Sequence, residues 1–179
     1  ANSGTRIRLR FFGGWSYPSD LHTRGDLVSA AYGGGVPMGG DLPGRPLSSN
    51  APRFVVWATK DASAASLQKV QIVKGWADGG QTHEQVYDVV CADGLTPDAT
   101  THRCPDNGAA VSLSDCSYSP DKGAAELSIT WTDPDFTPSD RAFYYARVLE
   151  NPTCRWTTHR ALARGSAIPE PAVIKERAW

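Results

Sequence analysis

Glu126-Leu127-Ser128-Ile129-Thr130-Trp131-Thr132 alternates along its whole length. Leu127, Ile129 and Trp131 fall on one side; Glu126, Ser128, Thr130 and Thr132 fall on the other. A period of two sends successive side chains to opposite faces of an extended chain, so the segment reads as a strand with one buried face. The same pattern recurs on both sides of it. Ala142 to Glu150 is aromatic and β-branched, with Phe143, Tyr144, Tyr145 and Val148. Upstream lie Gln85 to Cys91, Leu67 to Trp76 (Val70, Ile72 and Trp76 on one face) and Phe54 to Lys60. Near the start, Ile7, Leu9 and Phe11 alternate with Arg6, Arg8 and Arg10 over Thr5 to Phe12, and Gly13-Gly14 ends that strand. Val173 to Trp179 is a last candidate. Asp78-Gly79-Gly80, Asp106-Asn107-Gly108 and Asp133-Pro134-Asp135 supply turn chemistry between strands. No sustained 3.6-residue period and no internal repeat is present. About seven short strands with frequent turns predict a mainly β chain, an immunoglobulin-like β-sandwich.

Composition narrows the function. A chain of 179 residues suits one domain, 1–179. With 40% hydrophobic residues it can bury a core, unlike a disordered chain. Lys and Arg number 18 against 19 Asp and Glu, which leaves no basic footprint for nucleic acid or an anionic membrane. No apolar run approaches the roughly 20 residues of a membrane span. The opening residues alternate and carry three arginines, unlike a signal peptide, and the first residue is not Met. The chain therefore reads as a processed or excised piece. Glycine (17) and proline (13) are abundant and argue for turns over long helices. They concentrate at 13–52, an irregular Gly/Pro-rich insertion after the first strand, with one or two helical turns expected around Leu27 to Tyr32. A connection of that length is often functional.

Cys91, Cys104, Cys116 and Cys154 make an even count, which fits two disulfides in an oxidising compartment. Three pairings exist. Cys91 with Cys104 closes a turn-rich loop of about 14 residues, worth roughly 3 kcal/mol in the chain-entropy model, and leaves Cys116 with Cys154. A zinc site and a fully reduced chain are the alternatives. Against zinc, no C-x-x-C occurs, and His83, His102 and His159 show no paired ligand spacing.

Motifs for chemistry are sparse. There is no G-x-S-x-G and no phosphate-binding loop ending in Gly-Lys-Ser/Thr. Gly33-Gly34-Gly35 and Gly39-Gly40 lack the strand and long helix that a phosphate cradle needs. Arg6, Arg8 and Arg10 form a basic ladder that reads first as a solvated face and second as a contact for an anionic ligand or acidic domain. Arg24-Gly25-Asp26 spells an integrin-binding tripeptide, which common residues also produce by chance. His22 stands alone where a metal motif wants two. Asp133, Asp135 and Asp140 offer hard oxygens for calcium, although Asp-Pro-Asp at a strand end reads first as a solvated turn. Of the six tryptophans, most are expected to anchor the core, and one or two on a flat exposed face could bind sugar. No carboxylate pair stands out, so no catalytic and no metal-binding residue is assigned. If the chain were itself an enzyme, Asp41, Lys74 and Glu84 are the first to test.

Six ordered blocks carry a resemblance. They are Ser3-Gly4-Thr5-Arg6-Ile7 leading to Arg10-Phe11-Phe12-Gly13-Gly14-Trp15; Gly35-Val36-Pro37-Met38-Gly39-Gly40-Asp41-Leu42; Gln71-Ile72-Val73-Lys74-Gly75-Trp76; Trp131-Thr132-Asp133-Pro134-Asp135-Phe136; Ala142-Phe143-Tyr144-Tyr145-Ala146-Arg147 continuing to Cys154-Arg155-Trp156; and Lys175-Glu176-Arg177-Ala178-Trp179. Together they resemble the C-terminal part of the bacterial domain-of-unknown-function family 3604. The resemblance implies a longer parent protein, often exported, whose N-terminal part resembles the polymerase-and-histidinol-phosphatase (PHP) class of metal-dependent hydrolases. In that family the chain usually continues through a further short strand. The divalent metal is then expected only in the N-terminal domain, with no cofactor in this fragment. The implied role is a non-catalytic accessory sandwich, periplasmic or extracellular, whose partner is the catalytic-type domain of the same chain. Val36, Pro37, Met38, Gly39, Gly40 and Asp41, with Lys74 and Trp76, are the candidate interface or cleft rim. The alternative is an autonomous carbohydrate- or polymer-binding module. Neither reading involves nucleic acid or membrane insertion, and the oligomeric state stays open.

Overall fold

The computed structural model describes residues 4–46 and 51–179. Ser3, which opens the first block above, and residues 47–50 of the Gly/Pro-rich segment lie outside the described residues. In chain order the elements are β1 (Arg8–Gly14), a 3₁₀ turn (Leu21–Thr23), α1 (Leu27–Gly34), β2 (Gly35–Pro37), β3 (Arg53–Thr59), β4 (Leu67–Asp78), β5 (Gln81–Cys91), β6 (Glu126–Thr132), β7 (Arg141–Glu150), β8 (Thr153–Cys154), α2 (Trp156–Arg164), β9 (Val173–Ile174) and β10 (Arg177–Ala178).

Two antiparallel sheets face each other. One runs β2-β1-β3-β6 and the other β10-β7-β4-β5; β8 and β9 pair apart as a ribbon. Seven of these strands build the sandwich, with β1, β3 and β6 in the places of strands A, B and E of an immunoglobulin-like fold and β10, β7, β4 and β5 in those of G, F, C and C′. The fold is thus the mainly β sandwich that the alternation predicts. The first six sequence segments each supply one strand, and β6 has the predicted bounds.

The main core fills the space between the sheets: Ile7, Phe11, Phe54, Val56, Val70, Ile72, Leu127 and Val148 among others. Phe11 and Phe12 are consecutive, so they point to opposite faces, yet both are buried. Phe12 and its cross-strand partner Val55 meet a second, smaller core of Tyr17, Leu21, Leu27 and Ala31. The Gly/Pro-rich segment is therefore not irregular throughout. Its described part carries the 3₁₀ turn, α1 over the expected helical stretch, and β2, and it covers the outer face of one sheet. Burying a Leu side chain contributes about 1.5–3 kcal/mol, and Leu21 and Leu27 do so here. Tyr17 is the polar member. Its hydroxyl donates to Ala31 O at 2.6 Å, and burial raises the phenol to about 12.

Three further expectations are corrected. β1 runs through Gly13-Gly14 instead of stopping before them, because both glycines pair with β3 and with β2. The crossing there is close: a Cβ at Gly35 would collide with Gly13 O and the Tyr17 hydroxyl. The last predicted strand is two two-residue strands, β9 and β10. A helix unforeseen from periodicity, α2, ends at Gly165 in the left-handed region (φ 62°), where Gly165 and Ser166 N–H donate back to Leu162 and Ala161 carbonyls. Only Thr158 and Ala161 of α2 are buried, too thin a stripe to register as a period.

The cysteines pair as Cys91–Cys104 and Cys116–Cys154. The first ties the connection 92–125 to β5 of the sandwich, and the second ties it to β8 of the ribbon. Along the β5 edge, Asp88 N–H donates to His102 O at 2.9 Å, so this connection also occupies part of the edge strand.

Candidate functional site

A cleft of about 320 Å³ opens where the β1–β2 hairpin meets the start of β7. Phe11, Gly13 and Phe54 line its sheet side; Ala142, Phe143 and Tyr144 form one wall, and Val36 to Leu42 the other. The second wall is a tight turn. Gly40 N–H donates to Pro37 O at 3.0 Å and Met38 N–H to Phe11 O at 2.9 Å, which fixes the turn to β1. The turn needs a positive φ at its third residue, supplied by Gly39 (φ 94°). Met38 projects from the rim, 40% exposed.

Behind the Tyr144 wall lies a buried polar cluster. Lys74 Nζ sits 2.8 Å from Asp133 Oδ2 and also donates to Asp135 O at 2.7 Å. Tyr144 OH donates to the same Asp133 oxygen at 2.6 Å, and Tyr87 OH donates to Asp135 Oδ2 at 2.7 Å. Asp133 Oδ1 accepts the Asp135 N–H at 2.9 Å. The side chains of the ion pair are 2% and 0% exposed. Burial first, and then the hydrogen bond to an aspartate, pushes both Tyr87 and Tyr144 well above the usual phenol range. Both phenols and the ammonium donate within the cluster. The cluster clamps the Asp133-Pro134-Asp135 turn to β4, β5 and β7. Within the turn Asp133 is buried while Pro134 and Asp135 remain exposed, and the Lys74 ammonium occupies the space beside Asp133 that a calcium ion would need.

The predicted rim residues divide. Val36, Pro37, Met38, Gly39, Gly40 and Asp41 all line the cleft, while Lys74 and Trp76 do not. Lys74 lies behind Tyr144. Trp76 lines a second hollow with Glu84, Arg141 and Phe143, its ring stacked on His83 at 5.2 Å and 5.3 Å from Lys74 Nζ. Asp41, Lys74 and Glu84 thus fall in three different surroundings and form no acid–base set. Arg24 and Asp26 pair with each other at 2.8 Å, and His22 packs against Thr130 of β6. Arg10 lies over Trp57 at 5.6 Å. None of the six tryptophans is fully buried, against expectation: Trp131 and Trp57 pack on the two cores, and Trp156 and Trp179 are exposed. Among the described residues one trio of metal-type ligand atoms falls within 4.8 Å, Cys116, Cys154 and His159. Its sulfurs are bonded to each other and offer no thiolate.

Sequence reasoning missed the partner of Lys74, which lies 59 residues away on the far side of a turn. The available signal was a lysine on the inward face of a strand, which demands a buried anion.

Over residues 1–179 the sequence matches the family described as "Protein of unknown function (DUF3604)". The chain belongs to that family. Comparison with curated proteins and with solved structures returns no match. For DUF3604 the reading of function therefore starts from the geometry above. No helix among the described residues is long and apolar enough to cross a membrane.

Proposed function

We propose that this DUF3604 chain is a non-catalytic accessory β-sandwich of a larger exported protein related to PHP-type metal-dependent hydrolases, and that the cleft wall 36–42 meets the neighbouring catalytic-type domain. One observation carries the reading. The ionisable groups that come together, Lys74, Asp133, Tyr144, Asp135 and Tyr87, are locked in mutual hydrogen bonds, whereas the open cleft presents apolar side chains, glycine backbone and the Asp41 carboxylate. That is a surface for contact rather than for bond making. The exposed Met38 suits such a role, since an unbranched thioether adapts to irregular partners. Two disulfides support the exported location. In this reading the divalent metal belongs to the neighbouring domain.

The test is phosphoesterase activity of the chain with added Mn²⁺ or Zn²⁺. No turnover above buffer is expected. Turnover that survives repurification would overturn the accessory role. In the longer protein, Met38→Asp should loosen the domain contact, read as faster limited proteolysis between the domains.

A further inference from the structure

The helix α2 carries a face that the fold leaves without partners. Trp156, Arg160 and Arg164 stand at intervals of four, so they line one side of the helix. Trp156 is 66% exposed, the most exposed large apolar side chain described. Both arginines are exposed, and neither has an ion pair or hydrogen bond among the described residues. The helix contains no acidic residue. Cation and indole are therefore presented together, on a chain whose formal charge is only -1.

The face is rigidly mounted. Cys154, just ahead of the helix, is tied to Cys116; Thr158 Oγ1 donates to Ala172 O at 2.6 Å from the buried side; Gly165 closes the last turn. Beside the exposed row lies a hollow of about 210 Å³ that Trp156, Arg160 and Arg164 line together with the 166–169 segment.

The geometry points to a binding site for an anionic saccharide unit, carboxylated or sulfated. An indole face stacks on the C–H face of a sugar ring, and two guanidinium forks can each pair with two oxygens of a carboxylate or sulfate. A protein partner fits less well. A stable interface buries about 800 Å² per side around an apolar centre, whereas here one indole and the small Ala161, Ala167 and Pro169 share a hollow of about 210 Å³ with Thr157, two arginines and Ser166. The site shares no residue with the cleft, so its failure and that of the accessory reading are separable.

The experiment is gel affinity electrophoresis of the intact, oxidised chain against polygalacturonate and chondroitin sulfate, with hydroxyethylcellulose as the neutral polymer. At least one anionic polymer should retard the protein, the neutral one should not, and retardation should fall as salt rises. Trp156→Ala and the double variant Arg160→Ala with Arg164→Ala should each weaken binding about tenfold or more, with unchanged melting temperature because the altered side chains are exposed. No retardation by either anionic polymer overturns the proposal. So does equal retardation by the neutral polymer, or full binding by either variant.

Discussion

Residues 15–46 and residues 92–125 are both long connections laid over the same sandwich. The first holds on with side chains: Tyr17, Leu21, Leu27 and Ala31 are buried against Phe12 and Val55, with no covalent tie. The second buries little that is apolar; its fully buried residues are Ala92, Asn107 and Cys116. It is held by two disulfides and by hydrogen bonds from buried polar groups. Asn107 meets Gln68, Asp93 and Asn151 at 2.8–3.0 Å, while Asp88 of β5 takes Lys69, Gln71 and the Cys104 N–H. The difference lies in which side chains are buried. The first segment buries Leu21 and Leu27 and holds by leaving water, whereas Leu113 of the second stays exposed; that segment relies on cross-links, and the polar groups it buries must be satisfied.

The comparison breaks first, if at all, under reduction. Opening loops of 13 and 38 residues' separation should cost roughly 3 and 4 kcal/mol, a fall of ten degrees or more in melting temperature at this size. Calorimetry with and without dithiothreitol measures it, and amide exchange should speed up in 92–125 well before 15–46. Equal fraying of both would sink the distinction. Next in size, Leu21→Ala, at a fully buried position, should cost about 3 kcal/mol and loosen 15–46 alone. Asn107→Ala should cost about 2 kcal/mol by removing the partners of Gln68 Nε2 and Asn151 Oδ1, with its exchange signature confined to 92–125. Denaturant melts resolve both.

The smallest effects are set by pH, and they have opposite signs. Burial raises Asp88, but the Lys69, Cys104 and Gln71 hydrogen bonds outweigh it and hold the carboxyl below its ordinary range. Its contribution is therefore present above the ordinary aspartate pKa and lost as pH falls through the folded value. Tyr17 is raised to about 12, so its contribution is present below the ordinary phenol pKa near 10 and lost as pH climbs toward 12. Asp88→Asn should flatten the acid limb of a stability profile, and Tyr17→Phe the alkaline limb. A single variant that flattened both would merge the two regions.

Much of this was legible in the sequence where one residue type settles one position. Alternation named the strands because each faces a core. The Cys91–Cys104 spacing indicated a short closed loop. What escaped depends on neighbours distant along the chain. Lys74 stands on the inward face of β4, but its partners are set only when Asp133, just past β6, and Tyr144 of β7 arrive beside it. The row of Trp156, Arg160 and Arg164 has helical spacing, but nothing nearby announces a helix, because α2 rests on two small buried residues. Phe12 looks like the outward neighbour of Phe11 until the 15–46 segment folds over it.

One hydrogen bond of the second connection reaches beyond stability. Asp88 N–H to His102 O caps part of β5, the terminal strand of its sheet. Unlatched by reduction, that strand would offer bare backbone donors and acceptors to another molecule. The disulfides then act as guards against self-association, and reduced protein should cloud and scatter light in proportion to its concentration before its sandwich has melted.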